Sequence, residues 1–385
     1  MSKKSDPRPG RWLRRAITLA NVGVACITLA VGLWPFAFHV RNGASWSSDP
    51  VGLHFGQFAT AIGESPFDGT ETCQSKDSPF TLELWIETER ASGYGTILAF
   101  DSDEHPESLS IRQSIGDIEF LRSFQSGNGK TGQGHFYIDD VFSGRQRRFL
   151  TLAVDDRGTR VFVDGKRIER IHDLGIRCGD LQGTLILGTA PSSNDTWSGT
   201  FVGLAAYGRA LDAEQAKAHY QEWAARPADL KQLLNANVLY VFDEGAGRTV
   251  HSRSFDRWDI TIPKNYSVRR KRFLQPFWEE FSWDRTYAVD LVINVVGFIP
   301  LGFCLAAFLA IVLRRDHHLA ITVLLCFATS LIIEVLQAFM PIRYSGTTDL
   351  ITNTCGGMIG ASLYQLLTKH FLRRQLESTQ TLPRE

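Results

Sequence analysis

The sequence has no excess of charge, since 41 Lys and Arg residues are matched by 41 Asp and Glu residues in 385 positions. A nucleic-acid-binding chain normally carries a basic surplus, so we set that class of partner aside. Cysteines are also few, and four of the six lie in apolar stretches, where this side chain usually serves packing. Cys73 and Cys178 lie in the polar part of the chain, where an oxidising compartment would let them form a disulfide.

Long apolar stretches stand out against this balanced composition. The first, residues 16–38, contains no charged residue and at about 1.5 Å per residue is long enough to cross a hydrocarbon core of about 30 Å. It is too long for the apolar region of a cleaved signal peptide, so we interpret it as a retained anchor. Three further stretches, at about 291–313, 319–342 and 350–368, predict three more transmembrane helices.

Basic residues beside these stretches predict the orientation. The tail of residues 1–15 carries six Lys or Arg residues against one Asp, and such basic flanks stay in the cytoplasm. Four crossings then place the Arg314-Arg315 loop and the tail of residues 369–385 inside as well. We therefore expect a multi-pass protein of the inner or plasma membrane, with both termini cytoplasmic and the polar middle of the chain outside.

Short alternating runs separated by turn residues fill residues 45–262. One predicted strand places four apolar side chains on one face: Phe80, Leu82, Leu84 and Ile86. The tetrad Asp155-Asp-Arg-Gly158 joins two further strands into a hairpin, and a single helix is predicted from Asp212, whose capping box uses Gln215. This pattern predicts an all-β sandwich, inserted between one transmembrane helix and a three-helix membrane bundle.

Several segments of this region resemble laminin-G-like jelly rolls of the concanavalin A-like superfamily. They read FTLELWIET, GTILAFDS, RRFLTLAVDDRGTRVFVDGK, LILG and WSGTFVGLAAYGRALDAEQAKAHY, and LYVFDEGAGRTVHSRS resembles a strand at one end of such domains. The resemblance implies a jelly-roll domain that binds a glycan or a protein. Because one fold serves many functions, it does not fix the ligand.

The same resemblance raises two questions of chemistry. Glucanases of the superfamily carry paired carboxylates on one strand with an Asp between them, whereas here Glu83 and Glu87 flank Trp85. We therefore expect two solvent-facing carboxylates and no hydrolase activity. Such domains can also hold calcium, for which the loops offer weak candidate ligands: Asp101, Asp103 and Asp195, with Glu104 and Asn194. No other cofactor is expected.

Residues 263–286 combine cations with aromatic side chains. The run Arg269-Arg270-Lys271-Arg272 is followed by five rings: Phe273, Phe277, Trp278, Phe281 and Trp283. Aromatic rings favour the headgroup level of a membrane, and basic residues favour anionic lipid surfaces. We interpret this segment as an interfacial linker that contacts membrane lipid.

Polar residues inside the last three predicted spans form pairs three or four positions apart, so that each pair shares a helix face. The pairs are Asp290 with Asn294, Glu334 with Gln337, and Asp349 with Asn353. In the predicted orientation all of them lie toward the outside, and Arg343 in the short outer hairpin is the nearest countercharge. An ionisable group below the interface is costly, which makes Glu334 a candidate site residue.

The alternative interpretation of these polar residues is structural. Asn294 and Gln337 then form hydrogen bonds from helix to helix, while Gly356 and Gly360 allow a close contact between helices. Both interpretations remain open for the pairs taken singly.

The bundle also carries a second resemblance. The segments DLVINVVGFIPLGFCLAAFL and IEVLQAFMPIRYSGTTDLITNTCGGMIG, within residues 287–368, resemble the VanZ-like family, named for a protein of teicoplanin resistance. They carry its N-x-x-G-F-x-P-L-G motif and its E-x-x-Q…P-x-R…D-x-x-x-N-x-x-G pattern. Thr347-Thr348 stands where members often have a further acid, and this departure weakens the case for a two-carboxylate or metal site.

The sequence therefore predicts a VanZ-like cell-envelope membrane protein, linked to glycopeptide resistance or envelope homeostasis, that displays a glycan- or protein-binding sandwich. We do not expect an enzyme. One alternative is a membrane enzyme acting on a lipid-linked glycan, with Glu334 as acid or base and Arg343 binding phosphate or carboxylate. A third interpretation is an adhesion module with a passive anchor. The oligomeric state does not follow from the sequence.

Overall fold

The computed structural model describes residues 10–63, 73–125, 131–143, 146–171, 174–225, 235–254, 258–313 and 317–380. The chain divides into two compact units, one formed by His39–Lys271 and the other by Met1–Phe38 together with Arg272–Glu385. The basic residues Lys3, Lys4 and Arg8 and the loop residues Arg314 and Arg315, which the orientation uses, lie outside the described residues.

The first unit is a sandwich of two antiparallel sheets. One has the strand order β12-β11-β10-β5-β14-β3-β2, with β15 also paired to β14. Its strands are β2 (Ala44–Ser48), β3 (Val51–Phe55), β5 (Phe80–Thr88), β10 (Arg147–Asp155), β11 (Gly158–Val163), β12 (Lys166–Ile171), β14 (Gly199–Tyr207) and β15 (Val238–Tyr240). The predicted hairpin is confirmed, because Asp155 pairs with Gly158 and leaves a two-residue loop.

The other sheet has the order β16-β17-β4-β13-β6-β7-β8-β9. Its strands are β4 (Ala61–Gly63), β6 (Tyr94–Asp101), β7 (Leu109–Ser114), β8 (Asp117–Gln125), β9 (Thr131–Ile138), β13 (Thr184–Leu187), β16 (Thr249–Val250) and β17 (Ile260–Thr261). A separate short pair joins β1 (Val40–Arg41) to β18 (Asn265–Tyr266). The predicted all-β jelly-roll sandwich is confirmed.

The core fills the space between the two sheets. The alternating side chains of β5 enter it as predicted and are almost completely buried: Phe80, Leu82, Leu84 and Ile86. They meet residues of the opposite sheet, among them Phe100, Ile111 and Phe120. Full burial of a side chain of this size contributes about 1.5–3 kcal/mol, so this layer is the main source of the sandwich's stability.

A helix covers the outer face of the first sheet. Helix α2 (Ala213–Ala225) begins with the predicted capping box, in which Gln215 N–H donates to Asp212 and the Asp212 N–H donates to the Gln215 side chain. Its Trp223 packs with Trp85 and Phe149 in a second apolar cluster. The outward face of β5 is therefore buried as well, and this decides the environment of its carboxylates.

The second unit consists of helices. They are α1 (Arg11–Gly32), the short α3 (Phe277–Glu280), α4 (Arg285–Ala307), which continues as a π-helical turn over Phe308–Val312, α5 (His318–Ala338) and α6 (Thr347–Gln380). Among the described residues, three helices are long and apolar enough to cross a membrane: Arg11–Gly32, Arg285–Val312 and His318–Ala338. The predicted fourth span lies within α6, and the number and orientation of crossings stay predictions.

Close backbone contact joins α4 to α6. A Cβ atom added at Gly356 would lie 2.1 Å from Val295 O, and one at Gly360 would lie 2.0 Å from Ile299 O. On α4, a Cβ at Gly302 would lie 2.0 Å from Gly357 O. Glycines on both helices thus let the two backbones touch, as small residues do between membrane helices.

Candidate functional site

The polar residues of the second unit meet where α4 begins, α5 ends and α6 begins. Asn294 donates to Asp349 Oδ1 at 2.7 Å and so links α4 to α6. The Asp349 carboxylate is close enough to Glu334 on α5 for the two to interact electrostatically. The structure therefore brings together one member of each predicted pair.

Glu334 is buried and holds the hairpin that follows α5. Its side chain is 1% exposed, and Oε2 accepts a hydrogen bond from Gly346 N–H at 2.9 Å. The Ser345 hydroxyl bonds to the same carboxyl group. A carboxyl group that bonds to two consecutive hairpin residues fixes the path of the chain between α5 and α6. Glu334 therefore holds this hairpin in position.

A third carboxylate reaches the same hairpin from α3. Glu280 Oε2 accepts from Thr348 N–H at 3.1 Å, and a Cβ added at Gly346 would lie 1.7 Å from Glu280 Oε1. The backbone of Gln275 supports this arrangement, since its N–H donates to Ser345 O at 2.9 Å and its carbonyl accepts from Thr347 N–H at 2.9 Å. Any larger residue at position 346 would displace the Glu280 carboxylate from this position.

We call Glu280, Asn294, Glu334, Ser345 and Asp349 the polar cluster. Arg343 is exposed at its rim and interacts attractively with Asp349. Asp290 is exposed one turn before Asn294 and interacts with Asp349 electrostatically. With carboxylates in excess over one guanidinium, the cluster offers hydrogen-bond acceptors to hydroxyl or ammonium groups, and Arg343 offers donors to an anion.

Two members of the predicted pairs make bonds between helices with partners outside the polar cluster. Gln337 Nε2 donates to Gly32 O at the end of α1, at 2.8 Å. Asn353 Nδ2 donates to Ser330 Oγ on α5 at 3.0 Å, and both groups are buried. These contacts fit the structural interpretation of those two residues.

In the sandwich, the two β5 carboxylates have different environments. Glu83 is completely buried beneath α2, where Tyr207 OH donates to it at 2.9 Å and His219 Nδ1 lies 3.1 Å away. Burial and the Glu83 charge raise the pKa of Tyr207 well above its usual range. Glu87 is partly exposed and pairs with Arg147 at 2.6 Å. The expectation that both carboxylates face solvent is therefore wrong for Glu83, because α2 covers it.

The proposed calcium ligands pair with arginines. Asp101 is fully buried and contacts Arg269 at 3.0 Å and Arg270 at 2.7 Å, while Asp103 contacts Arg270 at 2.9 Å. Asp195 pairs with Arg112 on β7. Among the described residues, no group of three or more His, Cys, Asp or Glu side chains is placed to hold a metal ion.

The disulfide and the basic run also have definite places. Cys73 and Cys178 are joined by a disulfide with a Cα–Cα distance of 5.7 Å, and it closes a loop of sequence separation 105. Of the basic run, Arg269 and Arg270 are used inside the sandwich unit, while Arg272 pairs with Glu279. This segment therefore has a structural role in addition to the membrane contact that we predicted for it.

Comparison with known proteins bears on both units. Residues 243–368 match the VanZ/LLP1 family model. Protein VanZ of Enterococcus faecium is 33% identical over 88 residues, which make up 23% of this chain and 52% of that protein. The chain carries a VanZ-like domain. It spans about half the length of this curated relative.

The sandwich is similar to a different group of proteins. Residues 67–217 match the model described as the concanavalin A-like lectin/glucanases superfamily. The binding domain of botulinum neurotoxin DC, in complex with rat synaptotagmin II, is 14% identical with a TM-score of 0.33, covering 48% of this chain and 46% of that one. A heptameric SAP-like pentraxin from Limulus polyphemus is 12% identical with a TM-score of 0.33, covering 48% and 82%.

The VanZ-like domain includes two cluster residues that the sequence did not reveal, Glu280 and Ser345. Glu280 lies within the matched range but outside the quoted motifs, in the segment that we interpreted as an interfacial linker. Its neighbours are aromatic residues, whose preference for the headgroup region dominated that interpretation. No periodic pattern marks Glu280, because α3 is a single helical turn. Only the contact of Glu280 with the hairpin assigns it to the polar cluster.

Proposed function

We propose that this chain is a cell-envelope membrane protein whose VanZ-like domain binds a polar ligand at the rim of the polar cluster. The ligand is a lipid headgroup, a glycan or a glycopeptide. The observation that supports this is the convergence of Asp349, Glu280 and exposed Arg343 on one hairpin, which buried Glu334 holds in place. Preorganised polar groups of both charges are what recognition of a polar ligand requires.

The sandwich is the second binding module of the proposal. In the proposed orientation it lies outside the membrane, where it binds an envelope glycan or protein. The disulfide between Cys73 and Cys178 supports this placement, because such bonds persist in oxidising compartments. The match to a superfamily that contains lectins supports a glycan as the ligand.

The cluster is tested with a glycopeptide, since the VanZ relative suggests a role in glycopeptide resistance. Purified full-length protein in lipid nanodiscs is titrated with teicoplanin, and the same variants are expressed in a susceptible host. We expect Arg343→Ala and Asp349→Asn to weaken binding about tenfold or more, because a charge-assisted hydrogen bond contributes about 1.5–3 kcal/mol. The protective effect in cells should fall in parallel.

The control is Arg285→Ala, which removes an exposed arginine at the start of α4. It should leave binding unchanged. If Arg343→Ala and Asp349→Asn bind teicoplanin and protect cells as the wild type does, the polar cluster is not the glycopeptide site. If the wild type itself neither binds teicoplanin nor protects, the link to glycopeptide resistance is wrong.

A membrane enzyme acting on a lipid-linked glycan is the second candidate. The observation that favours it is the approach of three carboxyl groups, of which Glu334 is buried as an acid or base often is. Glu334→Gln preserves an acceptor for Gly346 N–H and removes the ionisable group. Loss of glycan turnover with unchanged teicoplanin affinity would favour the enzyme, whereas loss of affinity alone would favour the binding role.

A further inference from the structure

The sandwich contains a cavity of about 410 Å³, and none of its lining residues belongs to the polar cluster. It lies beside the disulfide, between Lys76, the strand β8 and the short 3-10 helix Cys178–Leu181. A volume of a few hundred Å³ is typical of small-molecule sites. The cavity can therefore hold a sugar-sized ligand.

Cationic groups outnumber acids in its lining. Lys76, Arg122 and Arg177 line it together with His105, and Asp180 is the lining carboxylate. Asp180 accepts from Arg122, whose Nε and Nη2 donate to its two oxygens at 2.7 and 3.3 Å, and from the Arg177 N–H at 2.7 Å. Arg177 pairs with Asp77 at 3.2 Å, but both side chains are mostly exposed, so water screens this pair.

Lys76 is the cation whose charge is available. Among the residues that the structure describes, its ammonium group has neither a hydrogen bond nor an ion pair, and its side chain is exposed. Lys76 lines the cavity without a local countercharge, and the pair of Arg177 with Asp77 is screened by water, so the lining carries a net positive charge. Such a cavity favours an anionic ligand.

The walls of the cavity are fixed before any ligand arrives. The disulfide joins the segment of Lys76 to that of Arg177, and Gly179 N–H donates to Lys76 O at 3.0 Å. Arg122 also donates to Leu174 O at 3.4 Å. A site that needs little ordering on binding keeps more of its interaction energy as affinity.

An aromatic ring completes the lining. Phe124, at the end of β8, is 42% exposed and offers an apolar surface, and Ser123 also lines the cavity. Sugars present both an apolar ring face and hydroxyl groups, so a ring beside polar donors matches them better than it matches an inorganic anion.

From these observations we infer that the cavity bounded by Lys76, Arg122, Phe124 and Arg177 binds an anionic sugar. Its carboxylate or phosphate group contacts Lys76 and Arg177, and its ring lies on Phe124. This inference rests on the proposed glycan-binding role of the sandwich and specifies the site and the ligand class.

The test compares three sugars that differ at one position. Glucose, glucuronate and glucose 6-phosphate are titrated at millimolar concentrations into the full-length protein in nanodiscs, at low and at physiological salt. We expect both anionic sugars to bind about tenfold more tightly than glucose, with less preference at higher salt because exposed charges are screened. Their relative affinities show whether carboxylate or phosphate is the preferred group.

Two variants locate the effect. Lys76→Glu reverses the available charge and should abolish the preference for anionic sugars, whereas Lys217→Glu on the exposed face of α2 should preserve it. Thermal unfolding of each variant shows that the sandwich remains folded. If the three sugars bind equally, or if Lys76→Glu keeps the preference, the inference is wrong while glycan binding stands. If the folded protein binds none of the three sugars, both the inferred anionic-sugar site and the proposed glycan-binding role are wrong for these sugars.

Discussion

At single residues, the role of a charged side chain in the structure can differ from the role that the sequence suggests. Asp101 is a plausible calcium ligand by composition, and Arg269 and Arg270 form a typical lipid-binding run. In the structure both arginines contact the fully buried Asp101. The hydrogen bond from Arg270 to Asp101 raises the pKa of the guanidinium further above its usual range. These opposite charges pair across 168 and 169 positions of sequence.

We predict that Arg270→Ala destabilises the sandwich by about 1–3 kcal/mol. The change leaves a buried carboxylate with Arg269 as its remaining partner, and loss of one partner of a buried pair is costly. Arg272→Ala is the matched control, because its pair with Glu279 is exposed and should contribute less than about 1 kcal/mol. Denaturant unfolding, followed by tryptophan fluorescence, measures both.

Equal stability of the two variants would show that the contacts of Arg270 with Asp101 contribute nothing beyond a surface ion pair. If the Arg270→Ala variant binds calcium and the wild type does not, the Asp101 carboxylate can act as a calcium ligand, and Arg270 occupies the place of the ion.

At the scale of elements, α4 and α6 depend on glycine for their contact. The sequence indicates this for Gly356 and Gly360, through their spacing of four residues. The structure adds their partners, which are the backbone carbonyls of Val295 and Ile299 on α4. Because carbonyl oxygens cannot move aside as flexible side chains do, any Cβ atom at these positions must displace a helix.

Gly360→Ala should therefore weaken the bundle by about 1–3 kcal/mol, the usual effect of overpacking. Gly297→Ala is a control on α4, since a Cβ atom there meets nothing within 4 Å. The measurement is unfolding in mixed detergent micelles, with helix content as the signal. A Gly360→Ala protein as stable as Gly297→Ala would show that α4 and α6 are not in backbone contact at this point.

Elements also show why one prediction about β5 was wrong. Its alternation correctly assigned Phe80 and Leu82 to the core, because a strand buried on one face follows period two. The same alternation assigned Glu83 to solvent. Whether an outward face meets water depends on which element packs there, and α2 is distant in sequence. Alternation determines the face of a residue, not what covers that face.

For the whole molecule, the redox state of the disulfide tests on which side of the membrane the sandwich lies. A sandwich on the outer side is exposed to an oxidising compartment, so Cys73 and Cys178 should be fully paired in cells. After denaturation, a maleimide polymer that shifts gel mobility should label them only when reductant is added. Loss of the bond should also destabilise the sandwich by about 2–5 kcal/mol.

Cys73→Ser is the control for labelling, because it leaves Cys178 without its partner and should make it reactive without reductant. Free reactivity of both cysteines in the wild-type chain would place the sandwich in a reducing compartment. That outcome would reverse the proposed topology and remove the support for an envelope ligand.

Local patterns along the chain were sufficient to predict the architecture of this protein. Apolar runs, alternating strands and turn tetrads are local patterns, and local patterns are enough to predict a sandwich between an apolar helix and a helical bundle. Motif order was enough to predict the VanZ-like domain, which the family comparison confirms. The spacing of Gly356 and Gly360 offered a close helix contact as one interpretation, and the sequence left open whether Cys73 and Cys178 pair.

Tertiary structure alone decided which side chains meet. It brought Glu280 to the hairpin of Glu334, paired Asp101 with two distant arginines, and covered Glu83 with a helix. It also formed the cationic cavity from segments that the disulfide joins. These contacts link residues far apart in the chain, so no local pattern encodes them. The physical reason is that packing and charge pairing depend on distance in space, while sequence patterns record distance along the chain.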